Sequence, residues 1–136
     1  MRIDFFGKVY VAIMSVYFIV SGFNALLDID TKLERIGLSA IDFDGKIAFI
    51  LIYCSLMVGI GAAIALLYYF SRAWVYSALL ATVIIVSFIV FRIIGSYLAG
   101  TFSDAQITFL LAEMVEASIG IFLLYKSGKL RKSLIQ

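Results

Sequence analysis

The sequence predicts an all-α fold, a four-helix transmembrane bundle with both termini in the cytoplasm. Three observations carry that reading. Of 136 residues 64% are hydrophobic and only 15% charged, whereas a soluble domain carries about 45–50% apolar and about 25% charged residues. Four apolar runs each reach the ~20 residues that a helix needs to cross a hydrocarbon core of ~30 Å. Lysine and arginine are distributed unevenly between the two ends of those runs. The mean hydropathy of +1.10 excludes a disordered chain, which needs low hydrophobicity.

The first helix is expected over residues 5–27. Arg2 and Lys8 followed by an apolar run, with Val20-Ser21-Gly22 further on, imitate a secretory signal. The run over 9–27 is nevertheless long enough to span, so a retained helix is expected. Residues 28–46 form the one long loop, charged and acidic, and read as a solvated linker. Within it Thr31-Lys32-Leu33-Glu34 fits a capping box with Thr31 as N-cap. Leu33, Ile36 and Leu38 can then rest a short helix on the membrane or on the mouth of the bundle. Asp44-Gly45 reads as a turn before the second helix at 47–70. The third helix is expected over 73–97 and the fourth over 105–125. Such continuous apolar runs satisfy their backbone groups in lipid as helices. With no proline, no proline kink is expected.

The count of Lys and Arg near helix ends sets the orientation. Arg2, Lys8, Arg72, Lys126, Lys129, Arg131 and Lys132 fall on one side, against Lys32, Arg35 and Lys46 on the other. Both termini are therefore expected inside and the loop at 28–46 in the periplasm. Tyr10, Tyr68, Tyr69, Trp74, Tyr76 and Tyr125 fall near the inner boundary, where amphipathic rings settle among headgroups. The basic tail from Lys126 to Lys132 is expected to lie on anionic headgroups.

Composition excludes much chemistry. There is no histidine, which removes the commonest acid–base group and metal ligand. One cysteine, Cys54, excludes a disulfide framework and reads as a small buried filler. A net charge of +2 gives no basis for nucleic-acid binding. No cofactor is implied.

Ionisable residues inside the spans carry the remaining information, because they are costly in lipid and face the bundle interior. They are Arg92, Glu113 and Glu116. At ~1.5 Å per residue, Arg92 lies about 8–9 Å below the outer boundary and Glu113 about 12–13 Å below it. Helices three and four are antiparallel neighbours across a short loop, so an Arg92–Glu113 pair follows, with Glu116 at i+3 on the same broad face. Asn24 and Tyr53 fall at similar depth on helices one and two, and Ser96 lies at i+4 from Arg92. Together these six residues are the candidate ligand-binding site, a polar pocket opening toward the periplasm. The competing reading is a structural clasp in which the ion pair fixes helix order. Glu113 and Glu116, with Asp28 or Asp104, are weak candidates for a hard cation, and the adjacent Arg92 opposes it.

Small residues mark close packing. Ser55, Gly59 and Ala63 recur every four residues on helix two, beside Gly61 and Ala65, and helix four offers Ala112, Glu116 and Gly120. Such rows let helices approach. Packing within the chain is expected, with a homodimer through helix two as the alternative.

The run from Ile52 to Gly61, containing Tyr53, Gly59 and Gly61, then Arg92-Ile93-Ile94-Gly95-Ser96 and Glu113-Met114-Val115, resembles a family of small bacterial four-helix membrane proteins of unknown function related to the DoxX-like group. The resemblance spans most of the chain. It implies the bacterial inner membrane, carries over to Tyr53, Gly59, Gly61, Arg92 and Glu113, and brings no agreed activity. The expected function is non-enzymatic: binding of a lipid-like or small amphiphilic ligand, or of a membrane partner, in support of the envelope. In that reading Arg92 grips an anionic headgroup, Glu113 holds Arg92 and Glu116 titrates. The alternatives are a proton-coupled carrier or channel subunit with Glu116 as the proton site, and a quinone- or partner-binding subunit of a membrane oxidoreductase.

Overall fold

A computed structural model describes residues 2–133, with side chains through Gly128. Six α-helices follow one another: α1 (Arg2–Leu27), α2 (Ile29–Arg35), α3 (Phe43–Phe49), α4 (Ser55–Ser71), α5 (Trp74–Ala99) and α6 (Asp104–Ser133). A π-helical turn over Ile50–Cys54 joins α3 to α4. Among the described residues there is no strand. Four helical stretches are long and apolar enough to cross a membrane: Arg2–Leu27, Phe43–Ser71, Trp74–Ala99 and Asp104–Gly128.

Two turns reverse the chain where the backbone enters the left-handed region. Arg72 (φ 55°) ends α4, its amide donating to Tyr68. Gly100 (φ 66°) ends α5, and the amide of Thr101 donates to the Ser96 carbonyl at 3.2 Å. These are the αL helix ends that satisfy terminal carbonyls. Only residues 72–73 separate α4 from α5 and residues 100–103 separate α5 from α6. Such short connections make antiparallel neighbours.

The loop at 28–46 departs from expectation. The cap of α2 is Asp28, whose carboxylate accepts from the Thr31 amide at 3.2 Å. Thr31 is thus a first-turn donor, not the N-cap, because the helix starts three residues earlier, where the Asp28 carboxylate caps it. Likewise Asp42 caps α3 by accepting from the Gly45 amide at 2.8 Å. Asp44-Gly45 lies inside the first helical turn, and the second span starts four residues earlier than position 47. Asp30 pairs with Lys46 at 2.7 Å across the loop. The loop is therefore a folded cap, not a linker. Its apolar side meets the bundle mouth, where Leu33 is buried with Ala25, Phe49 and Cys54, and Ile36 packs alongside.

The main core lies between α1, α4, α5 and α6. Phe18, Ile64, Ala78 and Ala81 are fully buried in it, and Phe18 meets Phe88 of α5 edge-on at 6.1 Å. α1 packs most closely on α4, α6 on α5, and α5 also touches α1 and α4. Glycines set the closest approaches. A Cβ on Gly61 would stand 2.6 Å from the Ser15 carbonyl oxygen, and one on Gly22 would stand 2.7 Å from that of Cys54. Ser15 in turn donates to the Gly61 carbonyl at 2.8 Å. The expected small-residue packing thus falls on Gly61, while Ser55, Gly59 and Ala63 are exposed and a Cβ on Gly59 would meet nothing within 4 Å.

Two aromatic residues expected at the headgroup boundary are buried instead. Trp74 covers Gly7 and donates its indole N–H to Asp4 at 3.1 Å. Tyr10 sits against Gly120 and Thr82. Both fill gaps left by glycines on a neighbouring helix. Lys126 lies over the Phe122 ring at 5.6 Å, and the side chains of Lys129, Arg131 and Lys132 fall outside the described residues.

Candidate functional site

The short link over residues 100–103 brings the end of α5 and the start of α6 side by side, which sets Arg92 opposite the first turns of α6. Gln106, Phe109 and Glu113 recur at i, i+3 and i+7 and share one face of that helix. Arg92 engages all three. Its Nε donates to Glu113 Oε2 at 2.9 Å and its Nη2 to Glu113 Oε1 at 2.5 Å. Its Nη1 donates to the Gln106 side-chain oxygen. The guanidinium carbon lies 5.2 Å from the Phe109 ring centroid. Glu113 is 8% exposed and the Arg92 side chain 21%. A two-pronged arginine–carboxylate contact is the strongest ion-pair geometry available to side chains, and in lipid the bundle interior is where such a pair belongs.

The Arg92–Glu113 pair foreseen from depth and helix order is present. The other candidate residues are distributed differently. Tyr53 lies within electrostatic range of Arg92, with its hydroxyl toward Ser21. Glu116 is half-buried one turn below Glu113 and makes no hydrogen bond or ion pair through its carboxylate among the described residues. Ser96 is buried and serves the end of α5 through its carbonyl. Asn24 is exposed on α1, lining an open groove with Val16, Tyr17 and Val20, and forms no bond with the arginine. Sequence reasoning missed Gln106, Phe109 and Tyr17, the last facing Glu116, Glu113, Arg92 and Tyr53 from α1. The signal for Gln106 was available, as a polar side chain two turns before Glu113.

Three of the five guanidinium N–H groups donate to protein acceptors, so the arginine is largely committed within the bundle. A different space is better formed. The capping loop and the start of the second span border an open groove of about 480 Å³, lined mostly by apolar groups: Leu33 and Phe49 are buried at its floor, and Leu38, Ile41, Ala48 and Ile52 are exposed along it. Tyr53 also lines it, stacked on Phe49 with centroids 5.0 Å apart and planes at 11°. The π-helical turn is what sets Tyr53 there, since an extra residue in the turn rotates the following side chains. Lys32 of α2 stands over the same ring at 5.8 Å. Burial, then the neighbouring charge of Arg35, hold the Lys32 ammonium below the usual lysine value. Lys32 forms no ion pair among the described residues, in contrast to Lys46.

No group of three or more His, Cys, Asp or Glu side chains gathers at metal-binding separation among the described residues. Glu113 is committed to Arg92, which leaves Glu116 without a second carboxylate to share a cation.

Comparison with protein-family models, with curated proteins and with solved structures finds no match for this chain.

Proposed function

We propose that this multi-pass membrane protein is non-enzymatic and holds one aliphatic chain of a membrane amphiphile in the groove beneath the capping loop, with an anionic headgroup against Lys32. The groove carries the reading. Its volume of about 480 Å³ falls in the ordinary range of about 300–1,000 Å³ for small-ligand pockets, which are apolar with a few placed polar groups. Leu38, Ile41 and Ile52 supply the apolar wall, and Tyr53 with Lys32 supplies the polar end. The Arg92–Glu113 pair is, in this reading, the clasp that keeps α5 and α6 in register behind the pocket.

The distribution of lysine and arginine supports a cytoplasmic location for both termini and a periplasmic one for the capping loop. The motifs around Tyr53, Arg92 and Glu113 support placement in the bacterial inner membrane with the DoxX-like group. Membrane lipids are then the partners. A homodimer through the exposed Ser55, Gly59 and Ala63 row is the further association that small-residue faces permit.

The test fills the groove. In nanodiscs containing phosphatidylglycerol, lipid retained after mild delipidation is measured by native mass spectrometry for the unaltered protein and for Ala48→Phe. Retention is expected to fall at least fivefold with melting temperature unchanged. Retention should also decline as pH rises into the alkaline range, because Lys32 loses its proton earlier than an ordinary lysine, and Lys32→Met should remove that decline. Equal retention by Ala48→Phe overturns the reading.

A further inference from the structure

We infer that Glu116 is a proton-binding carboxyl group set in the seam between α1 and α6, separate from the groove under the loop. Position is the first argument. Glu116 lies twelve residues beyond the start of α6 at Asp104, about 18 Å along the axis at ~1.5 Å per residue. That is past the middle of a hydrocarbon core of ~30 Å, where an uncompensated carboxylate is most costly.

The surroundings are the second argument. The cation nearest in layer, Arg92, donates to Glu113 and Gln106. Glu113 itself, one turn away on α6, adds negative charge. From α1 the facing groups are Tyr10 and Tyr17, and from α5 Thr82 meets the same Tyr10 hydroxyl. Tyr53, from the π-helical turn, lies beyond Tyr17. None of these facing groups is a cation. The Tyr10 hydroxyl is shared between Thr82 and the backbone carbonyl of Glu116, each at 3.4 Å, and does not reach the carboxylate. A carboxyl group so placed meets acyl chains on one side and tyrosines on the other. Bound hydrogen removes its charge. The two acids of α6 thereby divide: Glu113 is the anion of an ion pair and Glu116 the site that takes up and releases a proton.

Dicyclohexylcarbodiimide distinguishes the two, since it is lipid-soluble and reacts with protonated carboxyl groups. The acid's O–H adds across one C=N bond, hydrogen to nitrogen and oxygen to the central carbon. The acyl group then moves from oxygen to nitrogen, and the stable product retains every atom of both reactants. The full-length protein in liposomes is treated between pH 6 and pH 9 and the adduct is located by peptide mass spectrometry. The expected adduct is on Glu116 and not on Glu113, forming at least tenfold faster at pH 6 than at pH 9 and absent in Glu116→Gln. Absence of an adduct on Glu116, equal modification of both acids, or a rate that ignores pH would overturn the inference. Mapping is done on the unaltered chain, so the outcome does not depend on a variant folding. The result is also independent of lipid retention in Ala48→Phe.

Discussion

At the residue scale, Arg92 and Glu113 pair their charges within the bundle. Removing one partner of a buried pair leaves the other uncompensated, at about 3–5 kcal/mol, while replacing both with apolar groups is often neutral. Arg92→Leu is therefore expected to destabilise the protein by about 3 kcal/mol and Arg92→Leu/Glu113→Leu to recover most of that, as read by reversible unfolding in bicelles. If the double variant is no more stable than the single one, the clasp is not the role of the pair. The pair was legible in the sequence because its two members sit at computable depths on helices joined by four residues. Phe109 and Tyr17 were not, because depth along an axis says nothing about azimuth around it; Gln106 was legible as a polar side chain seven residues before Glu113, on the same helix face. Asn24 illustrates the same limit from the other side: right in depth, it faces outward.

Gly61 and Gly59 lie two residues apart on α4 and face opposite ways, so the helix surface can be tested within one element. Gly61→Val would drive a side chain into the α1 backbone at Ser15 and Ile19, and is expected to cost at least about 1–3 kcal/mol by overpacking. Gly59→Ala enters open space and should gain about 0.5–1 kcal/mol through helix propensity. The measurement is the same unfolding curve. Gly59→Leu, run on a sizing column in detergent, separates a monomer from a dimer that uses this row. A shift to smaller size would support the paired arrangement, and none would assign the row to lipid. The existence of the spans was plain from hydropathy. The capped starts of α2 and α3 were misplaced by a few residues because the segment offers several cap-forming side chains in succession, and Asp28 and Asp42 are the ones that accept from a first-turn amide. The π-helical turn left no mark in composition or periodicity, since it adds a single hydrogen-bond offset within an unbroken apolar run.

For the molecule as a whole, the four long apolar helices put Arg2 and Gly128 at one end and the folded cap of residues 28–46 at the other. Orientation can be read with an impermeant maleimide on intact cells, because the native Cys54 is buried and stays silent. Ser39→Cys is expected to label from outside and Ser71→Cys only after permeabilisation. The reverse pattern would invert the topology drawn from the lysine and arginine distribution. The end away from the cap carries a consequence of its own. The chain has a single tryptophan, wedged over Gly7 and tethered to Asp4. Nature has thus installed one fluorophore where the first and third spans meet. Any stimulus that parts those two spans would hydrate the indole and move its emission toward longer wavelength, so opening at that end can be followed optically without attaching a dye.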